Sequence, residues 1–110
     1  TTMPNRNKQR GYELEAETVK FWSGHGVASK RVLSSGAYKH IGPELSGDLY
    51  IAGFKVEAKR KKSGYKFLYD ALEQDDCDML VVRQDKARRV YVLEEETLLA
   101  LMRQAGIVKP

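Results

Sequence analysis

Apolar residues recur at helical spacing near the start of the chain and alternate with polar ones further on. From Asn7 to Ser23 the spacing predicts a helix, closed by Gly24-His25-Gly26, since glycine takes the left-handed conformation at a helix end. Val27 to Leu33 reads as a strand with interspersed basic residues. Ser34 to Ser46, with two glycines and a proline, reads as a loop. Two strands follow, Asp48 to Ala52 and Phe54 to Arg60, with a tight turn at Gly53. Lys61 to Gly64 forms a loop and Lys66 to Gln74 a short helix. Met79 to Gln84 and Arg88 to Leu93 form a second hairpin around Asp85-Lys86-Ala87. Glu94-Glu95-Glu96 opens a last helix reaching Gln104. Its acids suit the positive end of the helix dipole, and Leu98, Leu99, Leu101, Met102 and Ala105 supply an apolar stripe. This order predicts an α/β fold: a polar arm over residues 1–6, then one domain over 7–110, a mixed sheet flanked by helices.

At 110 residues and 42% apolar, the chain has the size and composition for one buried core. No apolar run spans a bilayer and no charged-then-apolar leader opens the sequence. A membrane partner and a secretion signal are therefore not expected. The single cysteine, Cys77, forms no internal disulfide. Within Asp75-Asp76-Cys77-Asp78 its thiolate is disfavoured, so it reads as structural in a reducing compartment. His25 and His40 lack metal-ligand spacing; His25 reads as part of a turn. The net charge of +4 is a weak pointer to an acidic polymer. Its placement says more, because Lys59, Arg60, Lys61 and Lys62 run together.

The charged positions that break the pattern carry the chemistry. On a wheel of about 100° per residue, Glu13, Glu17 and Lys20 share a solvated arc suited to ion pairing. Glu15 instead sits at the centre of the apolar arc, between Tyr12 on one side and Thr18, Val19 and Trp22 on the other. A carboxylate facing a core needs compensation. That is either an ion pair with Arg31 or Lys59, or an approach to other acids around a metal. Residues two apart on a strand project together, so Glu57 and Lys59 share a face, and Asp48 meets them if the two strands pair. Two carboxylates for a hard divalent cation, with an ammonium beside them, suit phosphodiester cleavage. Tyr65, Phe67 and Tyr69 are expected to pack a helix against a sheet more than to stack on bases.

Gly11-x-x-x-Glu15, a basic strand, a Ser/Gly loop, Asp48 and Glu57-x-Lys59 together resemble the PD-(D/E)xK nuclease superfamily. Within it they resemble the archaeal-type Holliday junction resolvases, which also occur in phages. The resemblance covers Arg10 to Leu72. The chain departs from the pattern in carrying Gly47, not proline, before Asp48. The resemblance implies a restriction-endonuclease-like core with Glu15, Asp48, Glu57 and Lys59 as site residues. Ser35 (or Ser34) would be the loop serine near the site. Mg²⁺, or Mn²⁺ in its place, would be held by Asp48, Glu57, the Ala58 carbonyl and Glu15, with no small-molecule cofactor. The implied protein is a cytoplasmic homodimer, from a prokaryotic, archaeal or phage-infected cell. It would make paired symmetrical nicks in four-way DNA, leaving 5′-phosphate and 3′-hydroxyl ends. Lys30, Arg31, Lys39, Arg60, Lys61, Lys62 and Lys66 would hold the branched DNA, with Arg6, Lys8 and Arg10 adding contacts. Two other readings compete: a related small nuclease acting on flaps, nicks or duplex, and a non-catalytic DNA-binding module with a nuclease-like fold.

Overall fold

The computed structural model describes residues 6–32 and 48–108, and the side chains from residue 11 onward within them. It divides into two compact units, Thr1–Arg60 and Lys61–Pro110.

In the first unit, helix α1 (Arg6–Gly24) leads to a sheet of β1 (Ser29–Arg31), β2 (Leu49–Ile51) and β3 (Phe54–Val56). Helix α1 stops because Gly26 takes φ 79°, which turns the chain back on the helix. The Gly26 N–H then donates to the Ser23 carbonyl and the Val27 N–H to Trp22 at 2.9 Å, satisfying carbonyls the helix leaves open. Val27 and Trp22, brought together by that turn, are both 2% exposed.

The sheet order is β1-β2-β3, with both pairs antiparallel. Leu49 lies opposite Arg31 on one side and Val56 on the other. The β2–β3 turn is Ala52-Gly53, both with positive φ (51° and 84°), the backbone a two-residue hairpin needs to match strand twist. Central strand β2 supplies Leu49 and Ile51 to a core shared with Trp22 and Val27. Ser29 ties the sheet to α1: its hydroxyl donates to the Val19 carbonyl at 3.1 Å and lies 2.9 Å from the Ser23 hydroxyl.

The second unit contains α2 (Lys66–Glu73), a tight helical turn over Gln74–Asp76, β4 (Met79–Val82), β5 (Val90–Leu93) and α3 (Glu95–Gln104). β4 and β5 pair antiparallel from Met79↔Leu93 to Val82↔Val90. Leu72, Leu99, Met102 and Val108 are its buried apolar residues. Glu95 and Glu96 occupy the first turn of α3, as expected from the dipole.

The α/β class holds, and each expected helix and strand in the described residues appears. The sheet differs from expectation: where one mixed sheet was predicted, the described strands form two separate antiparallel sheets. The third strand is also shorter, ending at Val56 instead of Arg60. Continued pairing would need residues before Asp48, and 33–47 lie outside the described residues. The second-unit aromatics correct another expectation. Phe67 and Tyr69 are 64% and 61% exposed, because the inward side of α2 carries half-buried Leu68 and buried Leu72, four apart. No helix among the described residues is long and apolar enough to cross a membrane.

Candidate active site

The candidate site lies where α1 meets the end of β2. Asp48 immediately precedes β2 and is held by the ladder on both sides. Its N–H donates to the Val56 carbonyl at 3.0 Å, and its carbonyl accepts from the Val32 N–H at 3.0 Å. The Ala58 N–H then donates to its Oδ2 at 2.8 Å. The carboxylate of Asp48 thus gathers the chain just past β3, bringing Glu57-Ala58-Lys59 back beside it. This local bond replaces the ladder that a longer third strand would have supplied.

Glu15 comes from the other side, in α1. It is buried, at 7% exposure, as the wheel indicated. Its carboxyl is pushed above the ordinary 4.5. Burial is the main cause and the Asp48 charge comes next; Arg31 pulls the other way, and Glu57 adds a further push upward. Two acids from distant stretches of chain, Asp48 and Glu57, therefore act on the Glu15 carboxyl. The compensating ion pair foreseen with Arg31 is also present, its Nη2 3.9 Å from Glu15 Oε2. That separation is too long for a hydrogen bond, so the compensation is partial. Arg31 Nε is itself buried with no hydrogen-bond partner among the described residues, and its guanidinium carbon lies 5.4 Å from the centre of the Tyr12 ring.

The other predicted site residues are more open. Glu57 and Lys59 pair with each other at 3.8 Å while both stay exposed. Among the described residues, no group of three or more His, Cys, Asp or Glu side chains stands as an assembled metal cage. Asp48 and Glu57 are both near enough to act on Glu15, with Glu57 turned to solvent. Ser34, Ser35, Lys39 and His40 lie outside the described residues, as do the side chains of Arg6, Lys8 and Arg10.

The expected DNA-binding residues divide. Arg31 faces Glu15, and Arg60 donates from Nη1 to Glu13 Oε2 at 2.8 Å. Glu13 thus reaches across to the end of the third strand's chain. Lys66 pairs with Asp70 at 2.6 Å within α2. Lys30 is exposed on β1 with Nζ 5.8 Å from the Tyr50 ring centre, Lys61 sits 5.1 Å from that of Tyr65, and Lys62 is exposed. His25 closes α1 with its ring 4.6 Å from Phe21, the turn role expected of it. Cys77 is exposed, its Sγ donating to the Gln74 carbonyl at 3.1 Å.

Comparison with protein-family models, with curated proteins and with solved structures finds no match to this chain.

Burial of Glu15 has a consequence for stability against pH. Its folded value lies above its unfolded one, so between the two the folded chain holds the extra proton. Stability from this group is therefore greatest below about 4.5 and is lost as pH rises through the raised value. Glu15→Gln removes the charge and keeps the shape. We expect its Tm to exceed that of the wild type at pH 8 and the gap to close toward pH 4, read by circular dichroism. A lower Tm for the variant at pH 8 would show that the Arg31 pair outweighs burial and crowding.

Proposed function

We propose that this chain is a metal-dependent, structure-selective endodeoxyribonuclease of the PD-(D/E)xK type, with a restriction-endonuclease-like core. In this reading it acts as a dimer and resolves four-way DNA junctions by paired nicks. The observation that carries the proposal is the buried Glu15, whose ionised form is opposed at once by burial, Asp48 and Glu57. A nearby cation is the simplest remedy for three crowded carboxylates, and oxygen donors suit Mg²⁺ or Mn²⁺. Asp48 and Glu57, with Glu15 behind them and the Ala58 carbonyl beside them, would hold it. Such an ion supplies Lewis-acid polarisation of the phosphate and activation of water.

The chain's own residues do the rest. Asp48 has one carboxylate oxygen committed to the Ala58 N–H, which fixes its orientation and leaves the other as a donor. Lys59 presents an exposed ammonium to offset charge developing on the phosphate. Arg31 limits the repulsion on Glu15 and keeps that buried carboxyl in place.

One assay tests the proposal. The protein is incubated with Mg²⁺ and a labelled four-way junction, a flap, a duplex and a single strand. Paired nicks confined to the junction are expected. Cutting of the other forms moves the substrate to flaps or duplex, and binding without cutting in any form removes the enzyme.

A further inference from the structure

The β4–β5 hairpin ends in Arg83-Gln84-Asp85-Lys86-Ala87-Arg88-Arg89, four cations with one acid, all exposed. None of the four makes an ion pair among the described residues. That separates them from Arg31, Arg60 and Lys66, which have carboxylate partners in Glu15, Glu13 and Asp70. The tip is also built at some cost to the fold. Arg83 and Arg89 are the first residues beyond the Val82↔Val90 pair on their two strands, so like charges flank the end of the ladder. Lys86 takes φ 62° in the turn closed by the Ala87 N–H on the Gln84 carbonyl, a conformation in which glycine is cheaper. A concavity of about 410 Å³ opens there, lined by Val82, Arg83, Gln84, Ala87, Arg88 and Val90.

We propose that this hairpin tip is a nucleic-acid backbone clamp, binding phosphodiester oxygens of a DNA duplex arm without reading its sequence. It rests on the nuclease reading for the identity of the polyanion. Crowded, unneutralised cations around a small concavity are unfavourable to the free protein and favourable to a chain of phosphates, which release counterions when bound. The aromatic Tyr91, 59% exposed on β5, stands two residues beyond Arg89 and extends the surface along the strand.

The test compares two double variants of the full chain, each losing two cations. Lys86→Gly/Arg88→Gln alters the tip; Lys20→Gln/Arg103→Gln alters exposed positions on α1 and α3. Binding of a labelled junction is titrated with KCl in EDTA, which prevents cutting. The tip variant is expected to bind about tenfold more weakly, with the log–log salt slope lower by about 2, since each phosphate contact contributes about 0.9. Its Tm should not fall, because glycine suits the Lys86 position. The control should keep the wild-type slope. An unchanged slope in the tip variant, or an equal loss in both, overturns the clamp. So does binding to phosphatidylserine vesicles with no affinity for DNA. The two readings separate cleanly. If the wild type cuts with Mg²⁺ while the tip variant keeps the wild-type slope, only the clamp fails. If the tip variant loses binding and no form is ever cut, only the nuclease fails.

Discussion

Asp48→Asn is expected to remove Mg²⁺-dependent cutting almost completely, by on the order of 10³-fold, while junction binding stays within about twofold. Loss of a metal-holding carboxylate forfeits several kcal/mol of charge stabilisation, and about 4 kcal/mol is three powers of ten in rate. Asparagine is the informative choice because the Asp48 side chain has two duties. Its Oδ2 accepts the Ala58 N–H at 2.8 Å, which shapes the chain after the third strand. An amide oxygen can still accept that bond, so the variant removes the charge and keeps the turn. Alanine removes both and is expected to lower stability as well. The neutral side chain also relieves Glu15, which the Asp48 charge opposes, so Asp48→Asn should melt no lower than the wild type. Glu57→Ala should match the kinetic loss with little change in Tm, because Glu57 is exposed and its pair with Lys59, at 3.8 Å, is a surface pair. Cutting by Glu57→Ala at the wild-type rate would remove the nuclease reading.

The parts of this fold that were legible in the sequence are those set by neighbours along the chain. The wheel placed Glu15 on the buried arc of α1, and Gly24-His25-Gly26 marked where the helix turns. Both hairpins were readable from alternation and turn residues. What alternation does not encode is which strands share a sheet, since that choice is made by contacts far apart in sequence. Hence the two antiparallel sheets in place of one mixed sheet. Charge partners were hidden for the same reason. Arg60 reads as part of a basic run, yet its partner is Glu13, 47 positions away. For Phe67 and Tyr69 the sequence spacing does carry a signal. Residues two positions apart on a helix point to opposite sides, whereas Leu68 and Leu72, four apart, share the inward side. In the sequence the hairpin cations look no different from the run beside Glu57. Their lack of internal partners becomes visible only in three dimensions.

Leu49→Ala is expected to be the most damaging single substitution in the first unit. Leu49 is fully buried, at 0% exposure, in the central strand of the sheet. Truncating a buried leucine costs about 2–5 kcal/mol, part from lost transfer and part from the cavity left behind. At about 0.05–0.15 kcal/mol per residue, residues 1–60 have only roughly 3–9 kcal/mol to lose. The loss is therefore comparable to the stability itself. The site should go with it, because Asp48 is the residue immediately before Leu49 and its backbone is held by the same ladder. Trp22, the only tryptophan in the chain, reports on this core directly at 2% exposure. Its emission should shift to the red at a much lower urea concentration in the variant. Phe54→Ala in the same sheet provides the contrast. Phe54 is 70% exposed, so its midpoint should move by no more than about 0.5 kcal/mol equivalent. Equal midpoints for Leu49→Ala and Phe54→Ala would mean that β2 is not the centre of the core, and that the frame holding Asp48 against Glu15 has been misplaced.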